Sequence, residues 1–244
     1  MTLVHNDPLQ DVIAAIQQRW GDAALRPLSQ HAPPPTPLAT GFAALDDLLG
    51  GWPRGRLSLV AGGPSAGLTT LGLHALAAAQ REDRPALIFD VGRALDPAAA
   101  VRCGVDLEQV LLVRPAAGTL GLALVRDVVA MGGHGMILLD ASLPARPLRQ
   151  PRVAAHDLRA LTAALPRTGW VVLCLVSPTD AFSRAVAGYA GLRLQVERDD
   201  WHRTGRDITG CRVQVTLRQH PTRPPGSSVT LPLSFSPPLP DGRA

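Results

Sequence analysis

Gly62-Gly63-Pro64-Ser65-Ala66-Gly67-Leu68-Thr69-Thr70 is the stretch of this sequence best suited to chemistry. It fits the pattern GxxxxGK[ST] everywhere except at the lysine, whose place Leu68 takes. Small residues let successive backbone N–H groups turn inward on phosphates, the following helix N-terminus adds positive potential, and a Ser/Thr hydroxyl reaches magnesium. Gly62, Gly63, Gly67, Leu68, Thr69 and Thr70 are therefore the candidate cofactor-binding residues. Leucine removes the charge that lysine places on the β and γ phosphates, so the competing reading is a glycine-rich turn with no ligand. Asp140 follows the apolar run Met136-Ile137-Leu138-Leu139 and is placed to hold magnesium through water. Thr69 and Asp140 are thus the candidate metal residues. No cofactor is demanded by this set; weakly bound ATP with Mg2+ is the one it admits.

Other chemistries find less support. Cys103, Cys174 and Cys211 are odd in number and lack CxxC spacing, which argues against a disulfide framework or a zinc site and for core thiols. All 24 of the residues counted as Lys or Arg are arginine, a bias that follows from a GC-rich genome, and the net charge is only +4. That excess fits either an anionic partner such as DNA or an ordinary solvated surface. Aromatic residues, at 4%, offer few platforms for stacking bases.

The elements around these residues follow from periodicity. At 244 residues and 46% hydrophobic content the chain can fill a large α/β core, and no run approaches the length of a membrane span. The opening MTLVHNDPLQ lacks a signal-peptide pattern, so a cytoplasmic location away from membranes is expected. Leu9, Val12, Ile13, Ile16 and Trp20 fall at helical spacing over residues 8–20 and make one apolar stripe, which another surface must cover. HAPPPTP at 31–37 reads as a linker. Thr40 is placed to cap a short helix carrying Phe42, Leu45, Leu48 and Leu49, stopped by Gly50 and Gly51.

Apolar strands are then expected at 56–62, 86–90, 110–113, 136–140 and 170–176, with helices at 68–81, after Pro97, at 119–131 and at 153–165. Strands without polar alternation, separated by helices, indicate a mostly parallel sheet covered on both faces. The runs 192–197, 212–217 and 228–235 alternate apolar with polar residues and predict an antiparallel extension. Trp201, His202, Arg203 and Arg206 lie between two of these runs and read as a hairpin tip. The expected organisation is residues 1–37 as helix and linker, 38–236 as core, and 237–244 as a disordered tail.

Several co-linear motifs in this core resemble bacterial RecA. Thr40-Gly41, Leu45-Asp46, Gly50-Gly51 and Pro53-Arg54-Gly55-Arg56 resemble the RecA segment directly before the phosphate loop. Asp90, Ala94-Leu95-Asp96-Pro97, Gly104-Val105-Asp106 and Leu111 to Pro115 resemble the segment after the second core strand. Ile16-Gln17-Gln18-Arg19-Trp20-Gly21 is similar to RecA's N-terminal oligomerisation helix. The resemblance implies a RecA-like P-loop core with a mostly parallel sheet, antiparallel C-terminal strands and an N-terminal helix.

The same resemblance locates what has changed. Gly92 stands where the family has its catalytic glutamate, Leu68 where it has the phosphate lysine, and Ser177-Pro178 near its nucleotide-sensing glutamine. Positioning and charge neutralisation supply nearly all phosphoryl-transfer catalysis, so turnover near background and no catalytic residue are expected. RecA's two DNA loops correspond to shorter segments, Leu143 to Val153 with Arg146, Arg149 and Arg152, and Pro178 to Gly188 with Arg184. These four arginines are the candidate DNA contacts.

A short core with eroded ATPase motifs resembles the ImuA-type proteins that accompany error-prone polymerases. The implied role is an accessory or regulatory one in DNA repair, recombination or SOS mutagenesis. The partner would be RecA or a translesion polymerase, with homo-oligomerisation also open, and Leu9, Val12, Ile13, Ile16 and Trp20 would be the adhesive residues. Two other readings remain open: a weak ATP-dependent, DNA-binding recombinase completed by a neighbouring subunit, and a purely architectural core.

Overall fold

Strands that carry apolar side chains on both faces must be sandwiched between layers, and this demand sets the architecture. The computed structural model describes residues 8–21, 25, 35–116, 121–142, 155–179 and 181–235. The chain divides into two units, Met1–Pro35 and Thr36–Ala244. The first unit contains α1 (Pro8–Trp20), with Asp11 in its first turn and Arg19 in its last, each complementing the helix dipole. Gly21, at φ +88°, returns its N–H to the Gln17 carbonyl and ends the helix. Leu9, Val12 and Trp20 are 62%, 54% and 69% exposed, while Ile13 and Ile16 are half-buried.

The second unit is built on one eight-stranded sheet in the order β3-β2-β4-β5-β1-β6-β7-β8. Its parallel part comprises β1 (Arg56–Gly62), β2 (Ala86–Asp90), β3 (Val110–Val113), β4 (His134–Ala141) and β5 (Gly169–Val176), with β6 (Leu192–Thr204) parallel to β1. Then β7 (Asp207–Gln219) and β8 (Ser228–Ser234) add on antiparallel. One face of the sheet packs on α2 (Ala43–Leu49), α3 (Leu68–Gln80) and α4 (Pro97–Arg102) through Leu45, Leu71, Leu76, Ala100 and their neighbours. The other face packs on α5 (Leu122–Ala130), α6 (Ala155–Ala164) and α7 (Ala181–Ala187) through Val125, Leu161, Phe182 and Val186. The expected α/β fold class is the one observed.

Four expectations are corrected. Thr40 is not the cap of α2: the cap position is Phe42, without a side-chain bond, because Thr40 Oγ1 pairs with the Phe42 backbone and the Thr40 N–H donates to Asp46 Oδ1 at 2.8 Å. The segment 178–188, read as a loop, contains α7, since Phe182 and Val186 sit one turn apart and bury together. Strands β6 and β7 run 13 residues each, well beyond their alternating cores, because cross-strand pairing continues to Thr204 and Asp207. Trp201 therefore lies within a strand and not at a hairpin tip. All three cysteines are free and buried.

Candidate functional site

Parallel strands of a covered sheet present their carboxyl ends at one edge, and the candidate residues gather there. Register makes the gathering specific: Asp90 pairs with Asp140, and Asp140 with Leu175, so the ends of β2, β4 and β5 are level. Gly62 ends β1 two strands from Asp140, and the loop Gly63–Gly67 climbs from it into α3.

Glycine is required twice in this loop. Gly67, at φ +83°, begins the helix in the left-handed region, and a Cβ there would stand 2.2 Å from Leu233 Cδ1 of β8. A Cβ on Gly62 would stand 2.5 Å from Leu68 Cδ1 and 2.7 Å from the Val196 carbonyl oxygen. Leu68 is thus folded back against the end of β1, 4% exposed and part of the core between sheet and helices. The lysine position has been recruited for packing.

Thr69 Oγ1 donates to Asp140 Oδ2 at 2.8 Å, which joins the first turn of α3 to the end of β4. The other oxygen, Oδ1, accepts from the Ser142 N–H at 3.0 Å and from Ser142 Oγ at 2.6 Å. A threonine hydroxyl and a carboxylate in contact at a helix N-terminus are hard oxygen donors of the kind magnesium takes, and the set fits that ion bound with phosphate.

Asp90, 3% exposed, is equally engaged. Its Oδ1 accepts from the Ala94 N–H at 2.9 Å, and its Oδ2 from the Leu95 N–H at 3.4 Å and Arg114 Nε at 3.2 Å. Between the two aspartates lies a void of about 10 Å³ lined by Thr69, Asp90, Gly92, Ala94 and Asp140, room for about one water molecule. Gly92 offers that void no side chain. The two carboxylates that line it accept from Thr69, Ser142, Ala94, Leu95 and Arg114, and no third acid is among the lining residues.

The larger cleft, 360 Å³, runs over the loop and is lined by Gly63 to Thr70, Ser142, Trp201 and Phe235. Trp201 and Phe235 meet edge to face, with ring centroids 6.3 Å apart. The Arg198 guanidinium lies 4.2 Å from the Trp201 ring centroid, and its Nη1 donates to the Ser65 carbonyl at 3.1 Å. Sequence reasoning missed Arg198, Phe235, Ser142 and Arg114, and read Trp201 as part of a hairpin tip. Cys174 lies in the core on β5, where burial pushes its thiol up to about 12.

Gly62, Gly63, Gly67, Leu68, Thr69, Thr70 and Asp140 are therefore brought together. Arg146, Arg149 and Arg152 lie outside the described residues. Arg184 is exposed in the last turn of α7. Among the described residues, no helix is long and apolar enough to cross a membrane, and no group of three or more His, Cys, Asp or Glu is arranged to hold a metal ion.

The comparisons with known proteins agree with this geometry. The RadB recombinase has a similar fold, with a TM-score of 0.58 at 17% identity over 79% of this chain and 94% of that one. RecA of Lactiplantibacillus pentosus is 31% identical over 234 residues, covering 85% of this chain and 60% of the relative. RecA of Clavibacter michiganensis subsp. michiganensis is 31% identical over 245 residues, covering 89% and 68%. The chain thus spans between about 60% and 70% of the length of these two relatives. The model of the RecA N-terminal domain matches residues 7–238, and with these likenesses it shows that the chain belongs to the RecA family.

Proposed function

We propose that this chain is a RecA-like accessory protein of DNA repair and recombination that holds a nucleotide without turning it over and acts by contact with another protein. The observation that carries the reading is the void beside Gly92, whose two aspartates accept from Thr69, Ser142, Ala94 and Arg114 and which no third acid lines. Burial of Leu68 adds to it, because the loop keeps its backbone donors but loses their lysine.

On this reading the N–H groups of Gly63, Ser65 and Gly67 hold the phosphates, and Thr69 and Asp140 hold magnesium, which when bound neutralises phosphate charge. The nucleotide then serves as a structural ligand that adds stability to the folded core. Protein contact falls to α1, whose Leu9, Val12 and Trp20 are exposed beside Ile13 and Ile16. The proposed partner is RecA itself or an error-prone polymerase partner of the SOS response, as for ImuA-type proteins, with self-association through the same helix. Any DNA contact is electrostatic and supplied by the arginines at 146, 149, 152 and 184.

The test is ATP turnover with saturating single-stranded DNA. The expected rate is the background rate. A DNA-stimulated rate that disappears in Thr69→Ala would overturn the reading in favour of a weak recombinase.

A further inference from the structure

Resting on the reading that the loop holds a nucleotide, we propose that Arg198 is the cation of this phosphate site. It would supply from β6 the charge that Leu68 cannot supply from α3.

The loop's own donors are neutral backbone groups, and a polyphosphate needs positive charge as well as N–H groups. Leu68 cannot be rearranged to help, since its side chain is buried against Gly62. Arg198, on β6, is already bonded through Nη1 to the Ser65 carbonyl of the loop. That bond uses one of the five N–H donors of an exposed guanidinium, and a phosphate on the loop would meet the others.

Two further features favour the role. The guanidinium rests on the Trp201 ring, which limits its motion and lowers the entropy lost on binding. Its charge is also uncompensated: the neighbouring Asp199 and Asp200 pair with Arg212 at 3.1 and 3.6 Å, and among the described residues Arg198 makes no ion pair. The ligand class is a nucleoside triphosphate gripped by its phosphate chain.

The test is calorimetric titration of the full chain with Mg·ATP, and competition by inorganic tripolyphosphate or by adenosine. Loss of a charge-assisted contact predicts that Arg198→Gln weakens binding about tenfold or more. Arg198→Lys, which keeps the charge, should stay within about threefold of the unaltered chain, and Arg203→Gln, which removes an exposed charge further along β6, should leave binding unchanged. Tripolyphosphate should compete and adenosine should not. If Arg198→Gln binds as the unaltered chain does, the inference is overturned while the nucleotide-holding reading stands. If the unaltered chain binds no nucleotide, both fall. Adenosine competing as well as tripolyphosphate would also overturn the inference.

Discussion

The hydroxyl of Thr69 and the carboxylate of Asp140, 71 positions apart in sequence, meet at 2.8 Å where the first turn of α3 faces the end of β4. The contact links the loop to the central sheet, and a metal ion would have to insert at this pair. Thr69→Val keeps the shape but removes the donor. The expected results are a loss of about 1 kcal/mol of stability and a nucleotide affinity no longer raised by magnesium. Thermal melts and titrations with and without the ion check this, and undiminished magnesium dependence would place the ion elsewhere.

Leu68→Lys puts an ammonium into a position that is 4% exposed. Without ligand the variant should lose about 1–3 kcal/mol, because an apolar contact with the end of β1 is given up and the charge must find its way to the cleft. With ligand it should bind Mg·ATP more tightly than the parent chain, yet turnover should stay at background because Gly92 still leaves the void without an acid. Full activity from this single change would mean that Gly92 is not the missing catalytic position.

The parallel half of this site was legible in the sequence for a physical reason. Runs such as Met136 to Asp140 are apolar on both faces, so their strand character and the placement of a terminal aspartate follow from local pattern. The wall of the cleft was not legible. Trp201 lies among polar residues, and its position depends on a register shift between Arg198 and Asp200 in the β6–β7 ladder. Such a shift re-aims every side chain beyond it and leaves no trace in the alternation of one strand read alone. The helix α7 was missed differently: resemblance suggested a loop there, although Phe182 and Val186 already had helical spacing.

His74 gives the core a pH dependence. Its ring meets Phe42 edge to face at 4.7 Å, and burial, with the Arg81 charge adding, holds its pKa below the usual histidine value of 6.5. The unfolded chain therefore takes up a proton near pH 6.5 that the folded chain refuses until lower pH. Stability from this group is complete above pH 6.5 and declines as pH falls below it. Melting temperatures between pH 7 and 5 should fall less steeply in His74→Gln, with a residual slope from His220, whose pKa burial also lowers. Equal slopes in the two proteins would remove His74 from the account.

DNA binding, if carried by the arginines at 146, 149 and 152, should be weak and steeply salt-dependent, since each phosphate contact releases counterions. Replacing all three by alanine should flatten the plot of log affinity against log salt by roughly three contacts' worth. Fluorescence anisotropy with a labelled single strand reads this directly. An unchanged slope would move the contact to other arginines, of which Arg184 on α7 is exposed.

The last prediction concerns assembly. The helix α1 has 13 residues, near the lower limit at which an isolated helix persists in water, and its unit ends at Pro35, before the sheet-bearing unit begins at Thr36. A stripe carrying Val12 and Trp20 at 54% and 69% exposure does little for its own unit, and a large aromatic is the side chain that most often dominates an interface. Deleting residues 1–35 should leave the melting temperature of the remaining chain unchanged while abolishing self-association or RecA binding. Trp20→Ala in the full chain should reproduce the binding loss without altering the fold. Light scattering and pull-down with purified RecA measure the two outcomes. If the truncated chain instead unfolds, the stripe is covered by its own core, and contact with another protein loses the element assigned to it.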